Sequence, residues 1–270
     1  MNVSSHGKIE ATSSRVILKP HAKVNLGLFI KGKLSNGYHL LETVMYPVLD
    51  LTDQLEITPA KVPGCQLSLG GRPLDGEVND NLCIKAYQAL KTAIPELPGV
   101  HISLEKHIPA GAGLGGGSSD AAFTLRGLNE LFDLGLSQEE LAEIATPLGS
   151  DVPFFIYDEP MMARGTGTDL IPFPVTLPGR LEVLPSDIHS STIAAYKALD
   201  YTLYDHDRDL AAVLGGPATD WPQKLDNDLE LPVFAQYPEL KHRKQSLYTQ
   251  GALYAAMSGS GSALFAIWPF

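Results

Sequence analysis

The 270-residue chain is short of three things, and each shortage excludes a class of protein. It has two cysteines, Cys65 and Cys83. They lie far apart, without C-x-x-C spacing or nearby histidine pairs, so neither a disulfide scaffold nor a zinc site is indicated and a reducing cytoplasm is expected. It is also short of positive charge, with 20 Lys and Arg against 31 Asp and Glu and a net charge of -11. Nucleic-acid binders normally present a basic face, so no nucleic-acid partner is expected, and the local run Lys241-His242-Arg243-Lys244 reads as a solvated helix face. Finally, nowhere do eighteen apolar residues run together, and the start has no apolar segment of signal-peptide length. No membrane span and no export are expected, and residues 1–14 read as a flexible tail.

What is present is a globular composition, 44% hydrophobic, enough for one large domain or two joined halves. No internal repeat or low-complexity linker divides it. The most informative stretch is Pro109-Ala110-Gly111-Ala112-Gly113-Leu114-Gly115-Gly116-Gly117-Ser118-Ser119-Asp120. Its glycines discard side chains, which lets backbone N–H groups converge on an anion. A helix pattern follows at once, with Ala121, Ala122, Leu125, Leu128, Leu131 and Phe132 recurring at three- and four-residue steps. Ser118 or Ser119 is expected to open that helix, either as a cap or as a contact to a phosphate or its metal ion. The stretch reads as a polyphosphate loop. It is not a Walker loop, because Ser118 rather than lysine follows Gly117. Gly111, Gly113 and Gly116 satisfy G-x-G-x-x-G, but any segment this rich in glycine does so, and no first βαβ unit is evident.

Periodicity predicts an α+β chain. Val24, Leu26, Leu28 and Ile30 alternate as a half-buried strand, as do Val100, Ile102 and Leu104, both expected in antiparallel sheet. Helices are predicted over 82–94, 119–132 and 138–148, the last opened by Ser137 and Glu140 at capping-box spacing. Further helices are predicted over 192–199 and 207–214 and after Pro238, with strands over 253–257 and 263–268.

The glycine loop resembles the second motif of the small-molecule kinases that include galactokinase, homoserine kinase, mevalonate kinase and phosphomevalonate kinase, the GHMP kinases. Its triple-glycine Ser-Ser-Asp form is most similar to the branch acting on a cytidyl-bearing polyol in non-mevalonate isoprenoid synthesis. Four more segments match in order. Ala22-Lys23-Val24-Asn25-Leu26 with Asn36-Gly37-Tyr38-His39 and Glu42-Thr43 resembles the first motif and substrate loop, and Met257-Ser258-Gly259-Ser260-Gly261-Ser262 the third motif. Leu148-Gly149-Ser150-Asp151-Val152-Pro153-Phe154-Phe155 is similar to the segment of the catalytic aspartate, and Asn227-Asp228-Leu229-Glu230 to a stretch before a late helix. Two departures stand out: His21 replaces a proline common in relatives, and the chain stops soon after the third motif.

The resemblance implies a two-lobed GHMP kinase fold. A ribosomal-protein-S5-like N-terminal lobe would span 15–170 and a ferredoxin-like C-terminal lobe, trimmed at its end, 171–270, with the lobes parting near 165–178 and the active site between them. It implies ATP with Mg2+ as phosphoryl donor, bound by Pro109 through Ser119 (Pro109, Ala110, Gly111, Ala112, Gly113, Leu114, Gly115, Gly116, Gly117, Ser118 and Ser119). No dedicated metal cage is evident, as expected where phosphates supply most ligands. Phosphoryl transfer needs alignment, charge dispersal and a proton acceptor. By resemblance, Asp151 is the base for the substrate hydroxyl and Lys23 pairs with it. Asn25, Tyr38, His39, Tyr196, Gly259 and Ser260 would hold the small-molecule cytidyl substrate, with the cytosine between Tyr38 and Tyr196 and its edge read by His39. A sister kinase for homoserine, mevalonate or a sugar would lack Gly37-Tyr38-His39, and a non-catalytic nucleotide binder would tolerate loss of Lys23 or Asp151.

Overall fold

The computed structural model describes residues 10–270 other than Ser13 and Asp75. In chain order the first strands are β1 (Glu10–Thr12), β2 (Arg15–Leu18), β3 (His21–Lys33), β4 (His39–Thr52), β5 (Gln54–Pro59) and β6 (Cys65–Gly71). Then come α1 (Leu82–Ala93), β7 (Val100–Lys106), α2 (Gly116–Leu131), α3 (Gln138–Ala145), α4 (Val152–Tyr157), β8 (Met161–Arg164), β9 (Asp169–Pro172) and β10 (Arg180–Leu184). The chain ends with α5 (Thr192–Lys197), α6 (Leu210–Gly215), α7 (Trp221–Lys224), α8 (Glu230–Gln236), α9 (Pro238–Thr249), β11 (Tyr254–Met257) and β12 (Leu264–Trp268). Two compact units share these elements. One takes the chain up to Ala22, Pro47–Ala110 and Gly115–Glu159; the other takes Lys23–Tyr46, Gly111–Leu114 and Pro160–Phe270. The stretch 165–178 lies inside the second unit.

The first unit is built on a five-stranded sheet in the order β1-β2-β5-β7-β6. Val16 and Leu18, Leu55 and Ile57, and Val100, Ile102 and Leu104 alternate with more exposed residues and form its buried face. Helix α2 lies on that face. A β-carbon at Gly127 would come within 2.8 Å of the Ile57 side chain and 2.9 Å of the Leu18 side chain, so the absence of a side chain there sets how closely helix and sheet approach. Each large side chain the helix buries, such as Leu125 and Leu128, contributes about 1.5–3 kcal/mol. Of the expected tail, residues 10–12 form β1, paired antiparallel with β2; residues 1–9 and 13 lie outside the described residues. The antiparallel expectation for β7 holds for its β5 neighbour but not for β6, which runs parallel to it. Parallel neighbours need a crossover connection, and α1 provides it. A βαβ unit therefore does precede the glycine loop, but the loop follows its last strand rather than its first.

The second unit holds the sheet β3-β4-β8-β9, in which β3 and β4 take part from Lys23 and to Tyr46, and the antiparallel sheet β10-β12-β11. Leu28, Ile30, Leu229, Val233, Met257 and Leu264 belong to its core cluster. The prediction of a half-buried β3 is corrected here, because every residue from His21 to Ile30 is buried. The polar members of that run are tolerated because they are hydrogen-bonded, as described below. In the basic run, Lys241, His242 and Arg243 are exposed as predicted, whereas Lys244 is partly buried and pairs with Glu230 at 2.5 Å. The capping box at Ser137 and Glu140 forms as predicted.

Candidate active site

Within the second unit, three of the predicted segments meet at the start of β3. The buried Lys23 Nζ donates to Asn25 Oδ1 at 2.6 Å, Asn25 Nδ2 donates to Thr43 Oγ1 at 3.0 Å, and Thr43 Oγ1 donates to the Gly27 carbonyl at 2.5 Å. This chain of donors and acceptors satisfies polar groups that burial would otherwise penalise. The Lys23 backbone N–H donates to the Leu114 carbonyl at 2.9 Å, tying residues 111–114 of the glycine loop to the strand. On the other side, the Ser258 hydroxyl donates to the Gly113 carbonyl at 2.8 Å and the Ala263 N–H to the Ala112 carbonyl at 3.1 Å. Gly259, at φ 54°, lies so near that a β-carbon there would stand 3.2 Å from Asn25 Oδ1 and 3.5 Å from Lys23 Nζ. Lys23, Asn25, Gly113 and Gly259 are thus brought together. Ser260 Oγ is 2.7 Å from Thr192 Oγ1.

Asn227 organises this corner, a role its sequence segment did not reveal. Its side-chain N–H groups donate to the Met257 and Gly259 carbonyls at 2.7 and 2.8 Å, and its Oδ1 accepts from the Leu229 N–H at 3.0 Å. Its neighbour Asp228 accepts the Ile30 N–H at 2.7 Å and pairs with Arg208 at 2.6 Å. An Asn-Asp pair directly before an apolar helix was the available signal, and it gave no hint of which distant carbonyls it would reach.

Three of the predicted substrate residues are aromatic. Tyr38 is 66% exposed, in a turn where its N–H donates to Asn36 Oδ1 at 3.1 Å. The His39 ring packs against Tyr196 at 4.9 Å between centroids and lies parallel to Tyr201 at 5.5 Å. Burial, helped by the Lys33 charge, lowers the His39 pKa, so a neutral imidazole is favoured. Its Nε2 is buried with no hydrogen-bond partner among the described residues.

In the first unit, the loop becomes α2 earlier than predicted. Gly115, at φ 71°, is the residue before the helix, and the first helical residue is Gly116. Ser118 and Ser119 therefore do not cap it. They lie inside its first turn, and the Ser119 N–H already donates to the Gly115 carbonyl at 2.8 Å. The left-handed glycine turns the chain into the helix without a side-chain cap, which leaves Gly116, Gly117 and Ser118 to present the first-turn N–H groups that helix geometry leaves without carbonyl partners. Ser119 Oγ is buried without a partner among the described residues. Asp151 directly precedes α4, with Pro153 in that helix's first turn, and its side chain does not cap the helix.

Beneath the helix start, Lys106 Nζ pairs with Asp53 and, at 2.6 Å, with Asp120; all three are buried. A β-carbon at Gly116 would stand 3.4 Å from that ammonium. Asp53 is well supplied with donors, since its Oδ1 also accepts the His107 and Ile108 N–H groups at 2.5 and 2.8 Å. Asp120 Oδ1 has no partner among the described residues, and burial pushes its carboxyl up to about 8. One ammonium then balances one carboxylate, with Asp120 holding a proton at neutral pH. Lys106→Met is expected to destabilise the fold by about 3–5 kcal/mol by leaving the Asp53 charge buried alone. Asp120→Asn, which copies the protonated form, is expected to be nearly neutral at pH 7. Because the folded-state pKa of Asp120 lies above its unfolded value, this group lowers stability as pH rises from about 4 to about 8. Asp120→Asn should remove that slope, which chemical denaturation across the range would measure.

Two family models match the chain: the GHMP kinase N-terminal domain over residues 81–159 and the GHMP kinase C-terminal domain over 212–269. The 4-diphosphocytidyl-2-C-methyl-D-erythritol kinase of Porphyromonas gingivalis is 43% identical over 260 residues, covering 94% of this chain and 92% of the relative. The enzyme of the same name from Bacteroides fragilis is 44% identical over 256 residues, with the same coverage. A crystal structure of 4-(cytidine 5'-diphospho)-2C-methyl-D-erythritol kinase superposes with a TM-score of 0.81 at 35% identity, covering 93% of this chain and 89% of that one. Homoserine kinase from Cytophaga hutchinsonii, at 15% identity and a TM-score of 0.68 over 97% of this chain and 87% of that one, shares the fold alone. The glycine loop at the head of α2, the buried Lys23 and the 257–262 turn stand in a chain that belongs to the GHMP kinase family, alongside its 4-diphosphocytidyl-2-C-methyl-D-erythritol kinase relatives.

Proposed function

We propose that this chain transfers the γ-phosphoryl group of ATP to the 2-hydroxyl of 4-diphosphocytidyl-2-C-methyl-D-erythritol, in the cytoplasm and without a nucleic-acid partner. The observation that carries the reading is identity above 40% along 94% of the chain to relatives of that name. The glycine loop fits the donor. A β-carbon at position 113 would overlap the Ser258 carbonyl, and Gly111, Gly113 and Gly115 all have positive φ, so backbone lines this path where side chains have no room. Residues 109–119 would hold the polyphosphate through N–H groups and the α2 N-terminus; ATP would supply the phosphoryl group, and Mg2+ bound with it would offset phosphate charge.

This chain's residues then have three tasks. Asp151 accepts the proton of the attacking hydroxyl. Lys23, oriented by Asn25, stabilises charge near that oxygen, and Gly259 and Ser260 lie in the turn that would hold the acceptor. Tyr38 and Tyr196 stack on the cytosine. The unpaired His39 Nε2 suits a hydrogen bond to the base edge, where an analogue that leaves a buried group unpaired is rejected. Cys65 and Cys83 are both free thiols, as a reducing compartment would keep them.

The direct test is ATP consumption with the cytidyl substrate beside homoserine and mevalonate; turnover of either of the latter in its place would overturn the assignment. Base stacking contributes about 1–3 kcal/mol, so Tyr38→Ala is expected to raise the Michaelis constant for the cytidyl substrate by about 5- to 150-fold. His39→Ala is expected to narrow the preference for cytidyl over uridyl substrate. Equal use of both by the wild type would show that the pocket does not read cytosine.

A further inference from the structure

The glycine loop has a neighbour that the family motifs do not include. His189 lies between β10 and α5, and its imidazole rests on Gly111. A β-carbon at Gly111 would be 2.6 Å from His189 Cε1 and 2.8 Å from Nδ1. The segment around it is anchored on both sides. The Ile188 carbonyl accepts the Ser262 hydroxyl, the His189 carbonyl accepts the Tyr237 hydroxyl at 3.3 Å, and Thr192 Oγ1 meets Ser260 Oγ. Two of these partners, Ser260 and Ser262, belong to the 258–262 turn, which is fastened to Gly113 through Ser258. The segment is thereby held at Ile188 and Thr192 to the same turn that fixes the loop, and at the His189 carbonyl to Tyr237, while the His189 residue remains exposed. Its ring nitrogens have no hydrogen-bond partner among the described residues. Residues 109–119 contain no lysine, arginine or histidine, so their own contribution to a polyanion is backbone N–H groups and hydroxyls.

We propose that His189 is a nucleotide-positioning residue, whose imidazole N–H hydrogen-bonds the ATP polyphosphate and whose ring buttresses Gly111 in its left-handed conformation, at φ 65°. The proposal rests on the reading of 109–119 as the ATP loop. It gives Gly111 a reason to lack a side chain that is separate from backbone conformation: the imidazole fills the space a methyl group would need.

The test uses the full chain, with calorimetric titration of a non-hydrolysable ATP analogue plus Mg2+ and steady-state kinetics alongside. A hydrogen bond to a charged group, when lost, is expected to weaken analogue binding by about ten-fold or more in His189→Ala. The Michaelis constant for the cytidyl substrate should stay within about two-fold, since the ring is placed on the donor loop. His189→Gln, which keeps a side-chain N–H, should recover part of the affinity. Gly111→Ala should weaken analogue binding in the wild-type background and do so several-fold less in His189→Ala, where the methyl group has room. Unchanged analogue affinity in His189→Ala, or equal effects of Gly111→Ala in both backgrounds, would overturn the proposal. Gly115→Val keeps the parent reading separately testable. If it loses analogue binding while His189→Ala does not, the loop stands and the role of His189 falls; if it binds normally, both fall.

Discussion

Asp151→Asn is expected to lower kcat by 100-fold or more while leaving ATP-analogue affinity within about two-fold. The asparagine keeps the size and one oxygen of the aspartate but cannot accept a proton, and general-base catalysis typically contributes about 100- to 10,000-fold. The Asp151 side chain does not cap α4, so the substitution removes no helix cap. Thermal unfolding of the variant, measured alongside, separates a chemical effect from a folding one. Lys23→Ala is also expected to impair turnover, and the double variant should fall short of the product of the two single effects, as for residues acting as a unit. Near-normal turnover in Asp151→Asn would mean that alignment and charge dispersal suffice and no base is needed.

Gly113→Val is expected to abolish measurable ATP binding. Gly113 has φ 76°, a region in which a branched side chain is strained, and its missing β-carbon is replaced in space by the Ser258 carbonyl. Valine would force the loop off the 257–262 turn, break the Ser258 hydroxyl contact to the Gly113 carbonyl, and disturb the 2.9 Å bond between Lys23 N–H and the Leu114 carbonyl. The loop would then no longer present its N–H groups in a fixed array, and an array that must be ordered on binding loses affinity. Calorimetry with an ATP analogue decides the matter, with the far-ultraviolet circular dichroism spectrum as the folding control. Wild-type affinity in this variant would show that the polyphosphate does not lie on this part of the loop.

The local elements were largely legible because they follow local rules. Helix α1 was predicted to within a residue, and the Ser137-Glu140 box and strands β11 and β12 follow from capping chemistry and side-chain period. The errors have the same root. Ser118 and Ser119 looked like caps because hydroxyls usually cap, yet a left-handed Gly115 makes a cap unnecessary. β3 looked half-exposed because Lys23 and Asn25 interrupt its apolar alternation, yet the donor chain through Asn25, Thr43 and the Gly27 carbonyl lets both faces be buried.

Sequence alone determined that a glycine-dense segment enters a helix, that no lysine follows it to make a Walker loop, and that Lys23, Asp151, Tyr38 and His39 occur in motif surroundings. These are properties of neighbouring residues, and spacing carries them. Tertiary structure decided what those residues touch. It placed Gly113 against Ser258, Gly259 against Lys23 and Asn25, the Asn227 amide on two carbonyls of the third motif, Lys106 between two aspartates, and His189 on Gly111. Contacts such as Asn227 to Gly259, Lys106 to Asp53 and His189 to Gly111 join residues tens of positions apart, and only chain folding determines which of the many candidates of each type become partners.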